Sequence, residues 1–433
     1  MRQQNPRDLF SRGVSYKGSE YSEMHRGFRA LVFDGLRNKY SCLKRRNSMK
    51  TLIELYDASP IENVLGTEMF HPAETILVCP PEVATDQALR RSLRDYFAYR
   101  NLLVKLTFIP VTMLDAEKTE RVLREILESH HDCAIDISGG TDAALFATGV
   151  VSGDTPVFTY SAKKNMFYEI RNAPFARSLP CNVRLDVASC LLMAGGTLLP
   201  GRADNADLAT RTEQMDRLFG IYAKFRREWN WQISYIQKIS TAEPGDLVAE
   251  GPLHGNAGNK KVDIDPRLYE ALAEAGLILD LNITAESIRF RFPDETVRFW
   301  LRDIGSVLEL RVFRACRAAE CFDDVVLSAV VNWQEGKIQS DSVTNEIDVM
   351  AVEGIHPVFI SCKTCDIHTE ALNELAILRD RFGGKHSRAI LVSSGTSAKN
   401  RGPTRSRAGK LGIEVIEWED MRLNRLITRL RGH

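Results

Sequence analysis

From Thr51 onward, short apolar runs alternate with amphipathic stretches, and this alternation restricts the fold of the 433-residue chain more than any other feature. LIELYD (52–57), ETILVCP (74–80), LTFIPV and CAIDIS (133–138) each read as a buried strand. Between them lie PIENVLGTEMF, TDQALRRSLRDYFAYRN and KTERVLREILESH, whose apolar residues recur at helical spacing. Pro60 stands at a helix start and Thr85 at an N-cap position. GGTDAALFATGVVSG follows as a helix of small residues, and TPVFTYSAKKNMFYEIR (155–171) reads as a hairpin turning at Lys163, Lys164 and Asn165. Strands alternating with helices predict a mostly parallel, doubly wound sheet, hence a Rossmann-like α/β domain over residues 49–172.

A chain of this length calls for a second core. Residues 173–246, with VASCLLMAGG and RTEQMDRLFGIYAKFRREWNWQISYIQK, read as a helical linker, and the Gly-rich EPGDLVAEGPLHGNAGNKK as a mobile segment. Residues 247–433 read as a mixed α/β domain. It has a helix (PRLYEALAEAGLI), a hairpin (ITAESIRFRFPDETVRFWL), the helix DIGSVLELRVFRACRAAE, strands near DVVLSAVVNWQ and through NEIDVMAVEGIHPVFISCK, and a closing series of helices and strands. Residues 1–48 are basic and irregular and read as an N-terminal extension outside both cores.

Composition sets limits. Hydrophobic content of 44% and charged content of 26% are those of a soluble globular protein. No apolar run is long enough to span a bilayer and the N-terminus lacks an apolar signal core, so no membrane role is expected and the cytoplasm is the expected compartment. Nine cysteines scattered mostly in apolar contexts fit reduced thiols. Cys362 and Cys365, with His368 beyond, form a C-x-x-C that closes a strand and has no second ligand pair, which speaks against zinc. Formal net charge is zero, so nucleic-acid affinity would have to come from a local patch; SAKNRGPTRSRAGK (397–410), with Lys399, Arg401, Arg405, Arg407 and Lys410, is one.

Two places carry chemistry. In the first domain, Ser138, Gly139, Gly140 and Thr141 lie where a parallel strand gives way to a helix. Glycines there admit close backbone approach, and the free N–H groups of a helix start attract phosphate. Ligands of open α/β sheets bind at strand carboxyl ends, so the loop Asp57-Ala58-Ser59-Pro60 should face the same cleft, adding Ser59 and Pro60. The dinucleotide and Walker A fingerprints are missing, which argues against an ordinary NAD or ATP site. In the second domain Glu346 and Asp348 share one strand face, as do Ser361 and Lys363 on the next strand. The strands are apolar on both parities and so read as covered on both faces, where a lone charge costs several kcal/mol unless paired or metal-bound. Carboxylates beside an ammonium suit metal-assisted phosphodiester hydrolysis. Asp348 and Glu346, with Glu309 from the preceding helix, would hold Mg²⁺ or Mn²⁺, and Lys363 would steady the attacked phosphate.

The D-x(14)-K spacing and the S-C-K strand resemble the PD-(D/E)xK restriction-endonuclease superfamily. Together with S-G-G-T in an upstream Rossmann-like domain, the chain from Met49 onward resembles the CARF-domain ancillary nucleases of type III CRISPR systems. The resemblance implies a homodimer whose paired sensor domains bind a cyclic oligoadenylate, usually cyclic tetra-adenylate. Binding then switches on metal-dependent cutting of DNA, RNA or both in antiviral defence. It assigns Asp348 to the metal-binding aspartate, Lys363 to the motif lysine, and Ser138, Gly139, Gly140 and Thr141 to the phosphate-contacting turn. Two positions depart from the pattern. Ser361 stands where the second acid belongs, for which Glu346 or Glu309 would substitute. Asp142 stands where lysine is frequent, leaving Lys163 and Lys164 to restore positive charge. Two other readings remain open: a non-catalytic sensor that binds nucleic acid, and a ring nuclease whose sensor domain degrades its own ligand.

Overall fold

Thr51–Leu55 (β1) is buried along its whole length, as a strand covered on both faces must be. In the computed structural model, which describes residues 49–200, 205–257, 260–333, 343–395 and 398–432, β1 is an interior strand, third in a sheet of seven. The others are β2 (Glu74–Cys79), β3 (Lys105–Pro110), β4 (Cys133–Asp136), β5 (Val157–Ser161), β6 (Met166–Arg171) and β7 (Leu179–Pro180), in the order β3-β2-β1-β4-β5-β6-β7. The first five are parallel; β6 and β7 add antiparallel to one edge, and the β5–β6 turn falls at Ala162–Asn165 as the sequence predicts. The chain winds outward from β1 to β3, then returns to lay β4 on β1's other side. The winding therefore reverses between β1 and β4, the position at which open α/β sheets form a crevice.

The helix cap differs from expectation by one residue. Asp86, not Thr85, caps Gln87–Tyr99, accepting from the N–H groups of Ala88 and Leu89. Thr85 instead turns its hydroxyl back to the carbonyls of Pro81 and Glu82 and closes the preceding short helix.

The second sheet has six strands: β8 (Thr197–Leu198), β14 (Asp324–Asn332), β15 (Thr344–Glu353), β16 (His356–Lys363), β17 (Arg388–Ser393) and β18 (Ile413–Ile416), ordered β18-β17-β16-β15-β14-β8. β14 to β16 form an antiparallel meander, and β17 and β18 continue parallel to β16. Helices Ser306–Ala318 and Thr369–Phe382 pack on the sheet and bury Leu308, Val312, Leu372 and Leu375. The chain is thus α/β throughout, with a parallel-rich first sheet and a mixed second one.

Three local expectations change. Segment 173–246 is not helical throughout: it carries β7 and β8, which pair with different sheets. Its helices Thr212–Lys224 and Trp229–Ile239 place Leu218, Tyr222, Trp229 and Ile233 in the same apolar core as Val349 and Ile360, so this stretch is part of the second core. The Gly-rich segment contains three strands, β9 (Val248–Pro252), β10 (His254–Ala257) and β11 (Lys260–Asp263). The hairpin lies earlier than predicted, between β12 (Leu279–Ile283) and β13 (Ser287–Arg291). TVRFWL is helical (Glu295–Arg302) because the Asp294 side chain caps the Val297 N–H and ends the strand. The N-terminal extension, residues 1–48, lies outside the described residues. No helix among the described residues is long and apolar enough to cross a membrane.

Candidate functional site

β15 and β16 pair regularly from Glu353–His356 to Val349–Ile360. Beyond that point the Asp348 side chain takes over as acceptor. Its Oδ2 receives the Cys362 N–H at 2.6 Å and the Ser361 hydroxyl at 3.1 Å, with Lys363 Nζ at 3.6 Å. On the other flank β14 is distorted at buried Ser328, whose φ of 50° is left-handed, between the pairs Leu327–Val349 and Ala329–Ile347. A non-glycine residue held there stores strain, and such strain gathers at sites. The sheet is therefore irregular on both sides of Asp348.

Burial works most strongly against the Lys363 ammonium, but the charge and hydrogen bond of Asp348, with smaller help from Cys362 and Glu309, together hold the lysine above its ordinary pKa. Lys363 stays protonated at neutral pH. Glu309, half-buried on helix Ser306–Ala318, behaves oppositely. Burial, reinforced by repulsion from Asp348, Asp303 and Glu346, pushes its carboxyl up to about 9, with Lys363 offsetting only part. Glu309 is thus a neutral acid at pH 7. Glu346 is exposed, opposite Val330 at the rim of the strand pair. The structure brings Asp348, Lys363 and Glu309 within one another's fields, and Ser361 enters by binding Asp348 rather than by supplying a charge.

Among the described residues no three His, Cys, Asp or Glu side chains are gathered as a ready-made metal cage. Mg²⁺ and Mn²⁺ do not require one: they take oxygen ligands, and Mg²⁺ is commonly held by one or two carboxylates while keeping several waters. Asp348 and Glu309 fit that demand, since a divalent cation would supply the counter-charge that burial and the neighbouring carboxylates leave Glu309 without. Cys362 is a buried free thiol and Cys365 an exposed one.

The basic stretch 397–410 was expected as an open binding segment; within it, Ala398–Lys410 is a helix. Arg401 pairs with Glu417 at 3.2 Å and with Glu419 at 3.1 Å, Arg405 also pairs with Glu417, and Arg407 donates to Asn373. Two of its cations are therefore already neutralised. Side chains up to residue 400, including Lys399, lie outside the described ones.

In the first domain, the turn after β4 abuts the end of β1: a Cβ on Gly139 would stand 2.5 Å from the Leu55 carbonyl oxygen, and Gly140 has a φ of 100°. Only glycine fits both constraints. The hydroxyls of the turn are committed internally. Ser138 donates to Asp136 and accepts the Tyr160 N–H, while Thr141 donates to the Met113 carbonyl and caps helix Asp142–Val151. Thr141 therefore does not offer the free hydroxyl that the sequence suggested. What the turn presents is backbone N–H groups at a helix start. Lys163 and Lys164 are exposed at the β5–β6 turn.

Beneath this turn lie two residues the sequence reading passed over as site residues. Glu54 and Asp136 are register partners on β1 and β4, each 1% exposed. Asp136 Oδ2 and Glu54 Oε1 both lack hydrogen-bond partners, and they lie 2.6 and 2.9 Å from where a Gly66 Cβ would stand. Burial pushes Asp136 up to about 7 and Glu54 well above the carboxylate range, with Asp136 adding repulsion to Glu54. A carboxylate inside the apolar run LIELY was the available signal.

The loop after β1 is joined to the second domain. Asp57 caps its own turn through the Ser59 N–H, and Ser59 is buried. Pro60 opens a short 3₁₀ turn holding Glu62. Lys385, between helix Thr369–Phe382 and β17, reaches Asp57 at 3.4 Å and Glu62 at 3.2 Å; His386 Nε2 lies 2.9 Å from Glu62. Glu62 is 4% exposed, so this contact is partly shielded from solvent. Ser59 and Pro60 thus lie beside Gly384, at the contact between the two sheets' domains as well as at the carboxyl end of β1.

No family model matches the chain, and no curated protein matches it either. Among solved structures it is similar to protein VC1899 from Vibrio cholerae (TM-score 0.68, 19% identity, 89% of this chain and 98% of that one). It is also similar to Can2 from Sulfobacillus thermosulfidooxidans in complex with cyclic tetra-adenylate (TM-score 0.65, 16% identity, 89% and 97%). Over nearly its whole length the chain has the fold of VC1899 and of Can2, the two-domain α/β fold that the sequence resemblance implies.

Proposed function

We propose that this protein is a metal-dependent endonuclease of type III CRISPR defence, activated by a cyclic oligoadenylate bound at its first domain. The observation that carries the reading is the Asp348–Lys363 pair, at the point where the β15–β16 ladder gives way, with protonated Glu309 beside it. The fold shared with Can2, whose structure holds cyclic tetra-adenylate, supports the ligand class.

When bound, Mg²⁺ or Mn²⁺ supplies positive charge against the phosphate and acidifies water; Asp348 and Glu309 hold it, with Glu346 at the exposed rim. Lys363 stays cationic through Asp348 and steadies the negative charge that grows as phosphorus gains a fifth oxygen. Ser361 fixes the Asp348 carboxylate, so both lysine and acid keep one geometry. In the first domain the N–H groups after Gly139 and Gly140 receive the ligand's phosphates, aided by Lys163. A homodimer suits a ring of repeated nucleotides, because a two-fold axis offers equivalent turns to equivalent phosphates. Phe146 (68% exposed) and Val150 (49%) on the helix that leaves this turn are an apolar face such a dimer would cover. The cytoplasm is the compartment where such a ligand and substrate meet.

Plasmid DNA and RNA incubated with the protein and Mn²⁺, with and without cyclic tetra-adenylate, test the reading. Activator-dependent cutting is expected. Ligand binding with no cutting would favour a non-catalytic regulator, and loss of the ring itself would favour a ring nuclease.

A further inference from the structure

Where β16, β17 and β18 end side by side there is a cavity of about 210 Å³. The residues just past each strand line it: Thr364 after β16, Ser394 and Gly395 after β17, Glu417 and Trp418 after β18. Ser393 is the register partner of Lys363, so the cavity begins next to the proposed catalytic lysine. Its floor is tight, since a Cβ on Gly395 would stand 2.6 Å from the Thr364 carbonyl oxygen.

Arg226, from the segment read as a linker, reaches into this cavity. Its guanidinium lies 4.2 Å from the Trp418 ring centroid and donates to the Ser394 carbonyl at 3.3 Å. The other charges there are matched: Glu417 is shared by Arg401 and Arg405, and Glu419 takes Arg401. Among the described residues no carboxylate pairs with Arg226. A guanidinium held over an indole and by a backbone carbonyl is already ordered and has further N–H groups for an anion. Carboxyl ends of parallel strands are also where α/β sheets take ligands.

We propose that this cavity is a substrate subsite, in which Arg226 binds a phosphate of the nucleic-acid strand neighbouring the scissile one and Thr364 lines its rim. The assignment rests on the nuclease reading for its register, but the binding itself is read without cutting. Fluorescence anisotropy of labelled single-stranded and duplex oligonucleotides, in EDTA and across a salt series, with and without cyclic tetra-adenylate, measures it. Arg226→Gln should weaken binding roughly tenfold at low salt and reduce the slope of log affinity against log salt by about 0.7–0.9, the loss of one phosphate contact. Arg226→Lys, which keeps the charge without the guanidinium's contact on Trp418, should keep the slope and lose less affinity. Thr364→Glu, which leaves the Trp418 stack alone, should weaken binding as well and covers the case in which Arg226→Gln fails to fold. Unchanged affinity and slope in folded Arg226→Gln or, if that variant does not fold, in Thr364→Glu would overturn the subsite alone. A wild type that binds but never cuts with metal and activator would overturn the nuclease reading and leave the subsite as a nucleic-acid site. A wild type that binds no oligonucleotide overturns both.

Discussion

Glu54 and Asp136 face one another across β1 and β4, buried, with one oxygen of each unpartnered. Burial brings the Asp136 carboxyl up to about 7, and the nearby Glu62 charge adds to it against the opposing hydrogen bonds from Ser138. An unfolded aspartate titrates near 3.9, so the native state holds this proton some three units longer, at about 1.4 kcal/mol per unit, or about 4 kcal/mol in all. The sign follows from which state releases its proton first. The unfolded chain does so near pH 4 and the folded one only near 7; stability is therefore lost as pH rises through that window. Glu54 is raised as well, by burial first and then by the Asp136 charge, and adds a loss of the same sign. Glu54→Gln removes one ionisable group and can donate an N–H to the orphaned Asp136 oxygen. Both carboxyls are neutral at pH 5, so the variant should match the wild type there and be more stable by on the order of 1–3 kcal/mol at pH 8, a rise of a few degrees in Tm. Thermal unfolding of both proteins from pH 5 to pH 9 checks this. An offset independent of pH, or a variant less stable at pH 8, would refute the reading that burial keeps both carboxyls protonated.

Asp348→Ala should abolish cutting while leaving cyclic tetra-adenylate affinity intact, and Lys363→Ala should do the same with Mn²⁺ binding retained; full cutting by Asp348→Ala in Mn²⁺ would remove the site. Because Glu309 is protonated up to about pH 9, Mn²⁺ binding at pH 7.5 should release a proton, tighten as pH rises toward 9, and lose the release in Glu309→Gln. Calorimetry in two buffers of different ionisation enthalpy reads this without any activity, and an equal heat in both for the wild type contradicts it. Gly140→Trp, at a φ of 100° and against Leu55, should raise the ligand concentration needed for activation and leave basal cutting in place. Replacing Lys385 and His386 together by glutamine should shrink the ratio of cutting with and without activator; an unchanged ratio would take that contact out of the route between the domains.

Much of the first domain was legible because each β1–β4 strand is short, apolar and followed by a helix with a local stop signal. Where the reading failed, the deciding signal was either a single capping residue or a partner far away in the chain. TVRFWL carries the composition of a strand, but the Asp294 side chain caps it at the Val297 N–H as the start of a helix. Thr197–Leu198 is a strand because β14 offers it a free edge, something no pattern within VASCLLMAGG encodes.

The sites divide in the same way. Asp348 and Lys363 stood out because charges recurred on one face of strands otherwise filled by valine, isoleucine and phenylalanine, and burial makes such charges costly unless they are paired. The same physical argument applies to Glu54 and Asp136, yet each sits alone in its own strand, so the pair exists only once the parallel register sets β1 beside β4. Glu62 with Lys385 and His386 is more distant still in sequence, joining a turn after the first strand to one before β17. β17 in turn runs to Ser393, the register partner of Lys363. The loop that carries Glu62 is thus tied by ion pairs to the turn that opens the strand beside the proposed catalytic lysine. Single-strand patterns disclose a charge that is out of place; the fold alone discloses which other charge it was placed to meet.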